Sequence, residues 1–134
     1  MSRVPRSQEH LKTGFASEAA AAARFRACAK DAAARDLPNL ARRFEALARA
    51  KDELAVNQLE AAGQVRAAER SVADAMAEER YENDVLYPKM SRDADGETAA
   101  VFAAIVEAQK GHLEELESLR RELQSAGGGD VEAG

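Results

Sequence analysis

The chain has 134 residues and a formal net charge of −5, from 19 Lys and Arg against 24 Asp and Glu. This length suits a single domain, and the acidic balance argues against nucleic-acid binding, which needs a clustered basic surface. No apolar run approaches the roughly 18 residues of a membrane span. About a quarter of the residues are alanine, the strongest helix former, and only 4% are aromatic, so an all-α protein is predicted.

The single cysteine, Cys28, excludes an internal disulfide and a four-cysteine zinc or iron site within this chain. The first residues are basic, but no apolar stretch follows them, so they do not predict a secretory signal. We therefore expect a protein of the reducing cytoplasm.

Four helices separated by short breaks are predicted, with the first over residues 7–34, the second over 38–62, the third ending at about residue 91 and the fourth over 97–124. Pro38 suits the first turn of the second helix, and Gly63 suits the position just after its end. The third helix begins somewhere between residues 65 and 71. Pro88 predicts a kink or an early stop near the end of that helix.

The last break, residues 93–96, is a turn in which Asp95 is a candidate cap for the fourth helix. Residues 1–124 would then form a four-helix bundle, because helices of roughly 25 residues with short connections suit that architecture. The connection over residues 63–71 is long enough to cross the end of a bundle, which leaves the order of the helices open. The Gly-rich tail, residues 125–134, has nothing to bury and is expected to be disordered.

Each predicted helix has an apolar seam, at alternating spacings of three and four, that becomes polar near its middle. The seam of the third helix also contains Asn83. The other polar residues near the middle of the seams are Glu18, Lys51, Glu79, Glu82, Gln109 and His112.

Residues that face each other in an antiparallel hairpin lie equally far from its turn. Glu79 and His112 meet this condition for a turn at residues 95–96, and so do Glu82 and Gln109. Because the turn signal independently falls at the same place, we expect these side chains to meet in two facing pairs.

Glu18 and Lys51 lie equally far from the break near Arg35, so they form a third expected pair. If all three pairs lie inside one bundle, their ionised groups need compensation, because a buried charge is costly unless it is paired or bound to a metal. Two explanations remain open. One is a metal site of carboxylate and imidazole ligands, and the other is a salt-bridge network around Lys51.

Three stretches of the chain resemble the rubrerythrins, which are members of the ferritin-like superfamily. They are LKTGFASE over residues 11–18, ERYENDVLYP over residues 79–88 and VFAAIVEAQKGH over residues 101–112. The resemblance covers about residues 8–123 and implies a ferritin-like four-helix bundle that holds two irons. In this family each of two helices supplies a Glu and each of the other two supplies a Glu-x-x-His, with an additional Glu on the third helix.

Four positions match the ligands that the resemblance implies: Glu18, Glu79, Glu82 and His112. Three positions depart from it, because Lys51 and Gln109 stand where the family has Glu, and Leu54 stands where it has His. A further family Glu is Val85 here. The resemblance therefore implies a degenerate di-iron site that holds one iron or another divalent metal, or none.

Two functions follow from this reading, and the sequence leaves open whether the protein is an enzyme. The first is a non-catalytic helical bundle, acting as a homodimeric interaction or scaffold module in which Lys51 replaces part of the metal charge. The alternative is a metal-dependent oxidoreductase, since rubrerythrins reduce peroxide. Neither the protein partner nor any catalytic residue can be assigned from the sequence, and neither nucleic acid nor membrane is expected as a partner.

Overall fold

A computed structural model describes residues 6–134, so the expectation that the chain begins without a secretory signal lies outside the described residues. Helix makes up 84% of the described part, and no strand occurs in it. The all-α fold class is confirmed. Over residues 6–134, no helix combines the length and the apolar character that crossing a membrane requires.

The chain forms two compact units, the first ending at Val65 and the second beginning at Arg66. The helical segments, in chain order, are α1 (Ser7–Ala34), α2 (Pro38–Ala61), α3 (Ala68–Tyr81), a π segment (Glu82–Leu86), α4 (Tyr87–Arg92) and α5 (Gly96–Ala126). The first unit is the α1–α2 hairpin. In the second, α3, the π segment and α4 follow one another without a break and pack against α5. A single ferritin-like bundle of all four long helical segments stays a prediction.

Alanine forms the contact between α1 and α2. The buried side chains of this hairpin are Ala22, Ala29, Ala32, Ala41, Ala48 and Ala55. The rings of Phe25 and Phe44 stack beside them with centroids 6.1 Å apart. Side chains this small let two helices approach closely. Gly14 on α1 lies under the side-chain amide of Gln58, which occupies the space that a Cβ at this position would take.

The leucines of the predicted α2 seam are not buried in this hairpin. Leu40, Leu47 and Leu54 keep 44–48% of their surface exposed, whereas the alanine that follows each of them is buried. The contact with α1 therefore uses the alanine after each of these leucines, whereas Phe44 and Lys51 face α1 as the sequence pattern predicts. The reason is steric, since the close approach of the two helices admits alanine and turns the larger leucines to one side.

The turn between α1 and α2 uses an aspartate in a conformation that favours glycine. Asp36 has a φ of 61°. Its N–H donates to Ala33 O at 3.1 Å, and Leu37 N–H donates to Ala32 O at 2.9 Å. These are the two hydrogen bonds of a Schellman motif, which ends a helix with a left-handed residue.

We expect Asp36→Gly to raise the free energy of unfolding by about 1 kcal/mol, because glycine adopts positive φ without the steric cost that other residues incur. Denaturant titration followed by circular dichroism measures the change. Arg35→Gly is the matched control, since Arg35 has a φ of −94° and gains nothing from glycine. Equal effects of the two substitutions would contradict this account of the turn.

In the second unit, the chain stays helical through Pro88 to Arg92, so of the two outcomes that this proline predicts, a kink or an early stop, the early stop does not occur. The irregularity lies just before it. Tyr87 N–H donates to Glu82 O, five residues back, and residues 82–86 form a π segment. Proline has no N–H to donate, and the wider turn ahead of it lets the helix continue without that hydrogen bond.

Asp95 caps α5, as the sequence predicts. Its Oδ1 accepts a hydrogen bond from Thr98 N at 2.8 Å. This backbone hydrogen bond is the main reason why the pKa of Asp95 is held below its ordinary value. At its other end, α5 extends to Ala126, two residues beyond the predicted limit. The expected disorder of the tail stays a prediction.

The Asp95 cap predicts a pH dependence of stability. Because the folded protein lowers the pKa of this carboxyl, its contribution is present above the ordinary aspartate pKa of about 4 and is lost as pH falls through the lower, folded value. Asp95→Asn is the control, because asparagine caps a helix equally well but does not titrate. Thermal melts at about pH 6 and about pH 3 should show a larger loss for the parent than for the variant. Identical losses would show that the carboxylate charge contributes nothing.

Candidate functional site

The first unit brings Glu18 and Lys51 together, as their distances from the turn predict. Lys51 Nζ lies 2.9 Å from Glu18 Oε2, and the two side chains are 35% and 23% exposed. The contact is ionic, because Glu18 Oε2 is buried without an aligned hydrogen bond. An ammonium thus lies against the one carboxylate of α1 that matches a family ligand, and it would repel a cation approaching that carboxylate.

The second unit contains the other two expected pairs. His112 Nδ1 lies 3.1 Å from Glu79 Oε1, and Gln109 Nε2 donates to Glu82 Oε2 at 2.6 Å. The two pairs form because their members have the same spacing on the two facing helical segments. Glu79 lies in the last turn of α3 and Glu82, three residues on, is the first residue of the π segment, while Gln109 and His112 lie three residues apart on α5. Both pairings are confirmed.

The imidazole of His112 belongs to the surface of this unit rather than to its interior. The side chain of His112 is 62% exposed, whereas that of Glu79 is 21% exposed. The ring nitrogen that contacts Glu79 is Nδ1, so this carboxylate already has a protein partner. As placed here, His112 orients Glu79.

Asn83 is a buried residue to which the sequence reading gave no role. It keeps only 9% of its surface exposed, as does Gln109. Asn83 Nδ2 donates to the main-chain oxygen of Val106 at 3.1 Å, which ties the π segment to α5. The sequence could have indicated this structural role, because Asn83 lies in the predicted apolar seam and a buried amide there needs a specific hydrogen-bond partner.

The sequence-predicted metal ligands do not meet as a ligand cluster within either unit. Within residues 6–134, no group of three or more His, Cys, Asp and Glu side chains is placed to hold a metal ion. Leu54 lies half exposed on α2, one turn beyond Lys51. The expectation that the pairs of both units share one level concerns the two units together and stays a prediction.

Comparison with known proteins assigns no family to the chain. No protein-family model matches it, and no curated protein matches it. The resemblance to the rubrerythrins therefore depends on the three sequence stretches and on the pairs described above.

The Glu18–Lys51 pair should contribute more to stability than an exposed ion pair of the same hairpin. We expect Lys51→Ala to lower the free energy of unfolding by about 1–2 kcal/mol, because it leaves a half-buried carboxylate without its cation while solvent still screens part of the charge. Arg26→Ala is the matched control, since Arg26 pairs with Asp52 at 2.7 Å with both side chains about half exposed. That substitution should cost about 0.5 kcal/mol or less. Urea titrations measure both, and equal costs would contradict a special role for Lys51.

Proposed function

We propose that this protein is a rubrerythrin-like, ferritin-like helical bundle whose di-iron site is degenerate and which acts without catalysis, as a homodimeric interaction or scaffold module. The observation that carries the proposal is that each carboxylate at a family ligand position has a protein partner in its own hairpin. Lys51 neutralises Glu18, Gln109 donates to Glu82, and His112 contacts Glu79.

The donor atoms of this chain do not fit two irons. Neither the ammonium of Lys51 nor the alkyl side chain of Leu54 offers a lone pair to a metal at neutral pH, and the Gln109 amide is a weak neutral donor. The substitutions also compensate one another electrostatically. The carboxylate that the family has at position 51 is lost together with part of the metal charge. The ammonium of Lys51 supplies a fixed positive charge in their place.

The exposed leucines support the role in association. Leu40, Leu47 and Leu54 recur every seven residues on α2 and form an apolar row, each member of which the first hairpin leaves about half exposed. Apolar stripes of this kind mark surfaces that another protein surface covers. We propose a second copy of the chain as the protein that binds there.

A metal-dependent oxidoreductase of the rubrerythrin type, which reduces peroxide, is the second candidate. One contact favours it. Glu79 and His112 meet at 3.1 Å, and carboxylate and imidazole are both ligands of iron. Occupation of such a site would require His112 to release Glu79 and turn toward the metal.

Metal analysis distinguishes the two candidates. Protein purified without chelator and then offered ferrous iron should retain less than about a tenth of an iron per chain if the site is degenerate. The variant Lys51→Glu, Leu54→His, Gln109→Glu restores the missing ligands and should bind two irons. Absorption spectroscopy and elemental analysis measure both.

A matched triple variant controls for the added ligands. It carries Lys51→Glu, Leu47→His and Gln109→Glu, which places the new imidazole two turns away from its family position, and it should not gain two irons. A stoichiometric iron in the parent would support the oxidoreductase. Failure of the restored variant to bind iron would contradict the relationship to the rubrerythrins.

A further inference from the structure

A groove of about 570 Å³ lies on the first hairpin, beside the turn that joins α1 to α2. Its apolar lining comes from small side chains of α1 and larger side chains of α2, and these residues are Ala27, Cys28, Ala32, Leu37, Leu40 and Phe44. A groove of this volume falls within the range of small-molecule sites, which are lined mainly by apolar side chains.

The groove has a physical cause in the close alanine contact between the two helices, which turns the larger side chains of α2 to one side. On that side α1 presents Ala27 and Cys28, whose side chains are too short to fill the space opposite Leu40 and Phe44. The Phe44 ring stacks on Phe25 with centroids 6.1 Å apart, which holds one wall of the groove in place. Leu40 keeps 44% of its surface exposed, so a ligand that covers this wall gains hydrophobic free energy.

Within residues 6–134, three charged residues line the groove, and all of them are on α1: Arg24, Asp31 and Arg35. Arg35 Nε donates to Asp31 Oδ2 at 2.9 Å, so these two charges compensate each other. Arg24 lies two turns earlier on the helix and forms no ion pair in the described part of the chain. The one uncompensated charge of the lining is therefore positive, and an anionic group is its complement.

We propose that this groove binds one medium-chain alkyl carboxylate, with the carboxylate on Arg24 and the alkyl chain along the apolar lining. A guanidinium can hold a carboxylate through two parallel hydrogen bonds. A protein helix is too wide to enter the groove, because a segment that spans Arg24 to Arg35 is about 16 Å long and about 10 Å across and fills roughly twice the volume. The inference goes beyond the proposed function. It uses none of the facing polar pairs and shares only Leu40 with the apolar row of α2.

Calorimetric titration of the full chain with decanoate and with dodecanoate, each below its micelle concentration, tests the proposal. We expect one ligand per chain. Dodecanoate should bind about tenfold more tightly than decanoate, because each buried methylene strengthens hydrophobic binding about fourfold. Decanol has the same alkyl chain without the charge and should bind about tenfold more weakly than decanoate. Absence of saturable binding of either acid, or equal binding of decanol and decanoate, would overturn the proposal.

Two substitutions separate the charge of the groove from its volume. Arg24→Gln should weaken decanoate binding about tenfold and leave decanol binding unchanged. Arg49→Gln, at an exposed position of α2 outside the groove, is the matched control and should change neither. Ala27→Leu fills the groove and should abolish binding of both ligands, whereas Ala46→Leu, also exposed and outside the groove, should not. If Arg24→Gln or Ala27→Leu leaves the decanoate affinity unchanged, the ligand does not bind in this groove.

Cys28 reports on the groove directly, because it lines the groove and is the single cysteine of the chain. A maleimide should alkylate this thiol in the ligand-free chain, and decanoate should protect it at the concentrations that saturate the calorimetric titration. A thiol that does not react in the folded, ligand-free chain would show that the groove is covered, which would overturn the proposal. A reactive thiol that decanoate does not protect would place the ligand elsewhere and do the same.

The two proposals fail separately. Iron bound by the parent chain would contradict the proposed non-catalytic bundle and leave the decanoate titrations to be judged on their own. Absence of decanoate binding would remove the ligand of the groove and leave the degenerate di-iron site as proposed.

Discussion

The need to satisfy polar groups placed inside apolar seams governs the arrangement of both hairpins. A carboxylate that is partly withdrawn from water must meet a cation, a donor or a metal. In the first unit the cation is Lys51, 2.9 Å from Glu18. In the second unit the partners are neutral or titratable, and they satisfy only one oxygen of Glu79. This difference makes the first pair complete and leaves the second unit with unsatisfied acceptors.

The first hairpin packs through alanine, and for that reason few large side chains are buried in it. Among the described residues no large side chain is fully buried, and the first hairpin is closed by six alanines. Each alanine buries little apolar surface, and the hydrophobic contribution grows with the area removed from water. The leucines that could supply more area lie to one side of this contact. The hairpin therefore gains little hydrophobic stabilisation from these leucines, which stay half exposed.

The sequence was sufficient for features with local causes. The bounds of α1 agree with prediction, and the cap at Asp95 does as well, because proline and capping residues act within one turn of their own position. The facing pairs could also be predicted, since an antiparallel hairpin fixes them once its turn is known. Their chemistry required only the identity of the residues, which is why Lys51 and Glu18 could be paired in advance.

Features that depend on the distance between helices could not be read from the pattern. Leucine and alanine both count as apolar, so periodicity alone placed the α2 contact at Leu47 rather than at Ala48, and the close approach of α1 reverses that choice. The π segment escaped prediction for a related reason. Pro88 predicts an irregularity in the helix because it has no N–H to donate. Both a helix end and a widened turn accommodate the missing N–H, so the sequence does not choose between them.

The side-chain amides of Asn83 and Gln109 are both buried, and their hydrogen bonds fix how each amide is oriented. Gln109 stands where the family that the sequence resembles has Glu, and its amide makes a donor contact that a carboxylate could not make. Its nitrogen holds Glu82, and its oxygen is left buried and free to accept. Asn83 repeats this arrangement on the main chain of α5. Both amides therefore donate to protein oxygens and leave their own oxygens buried without a hydrogen-bond partner.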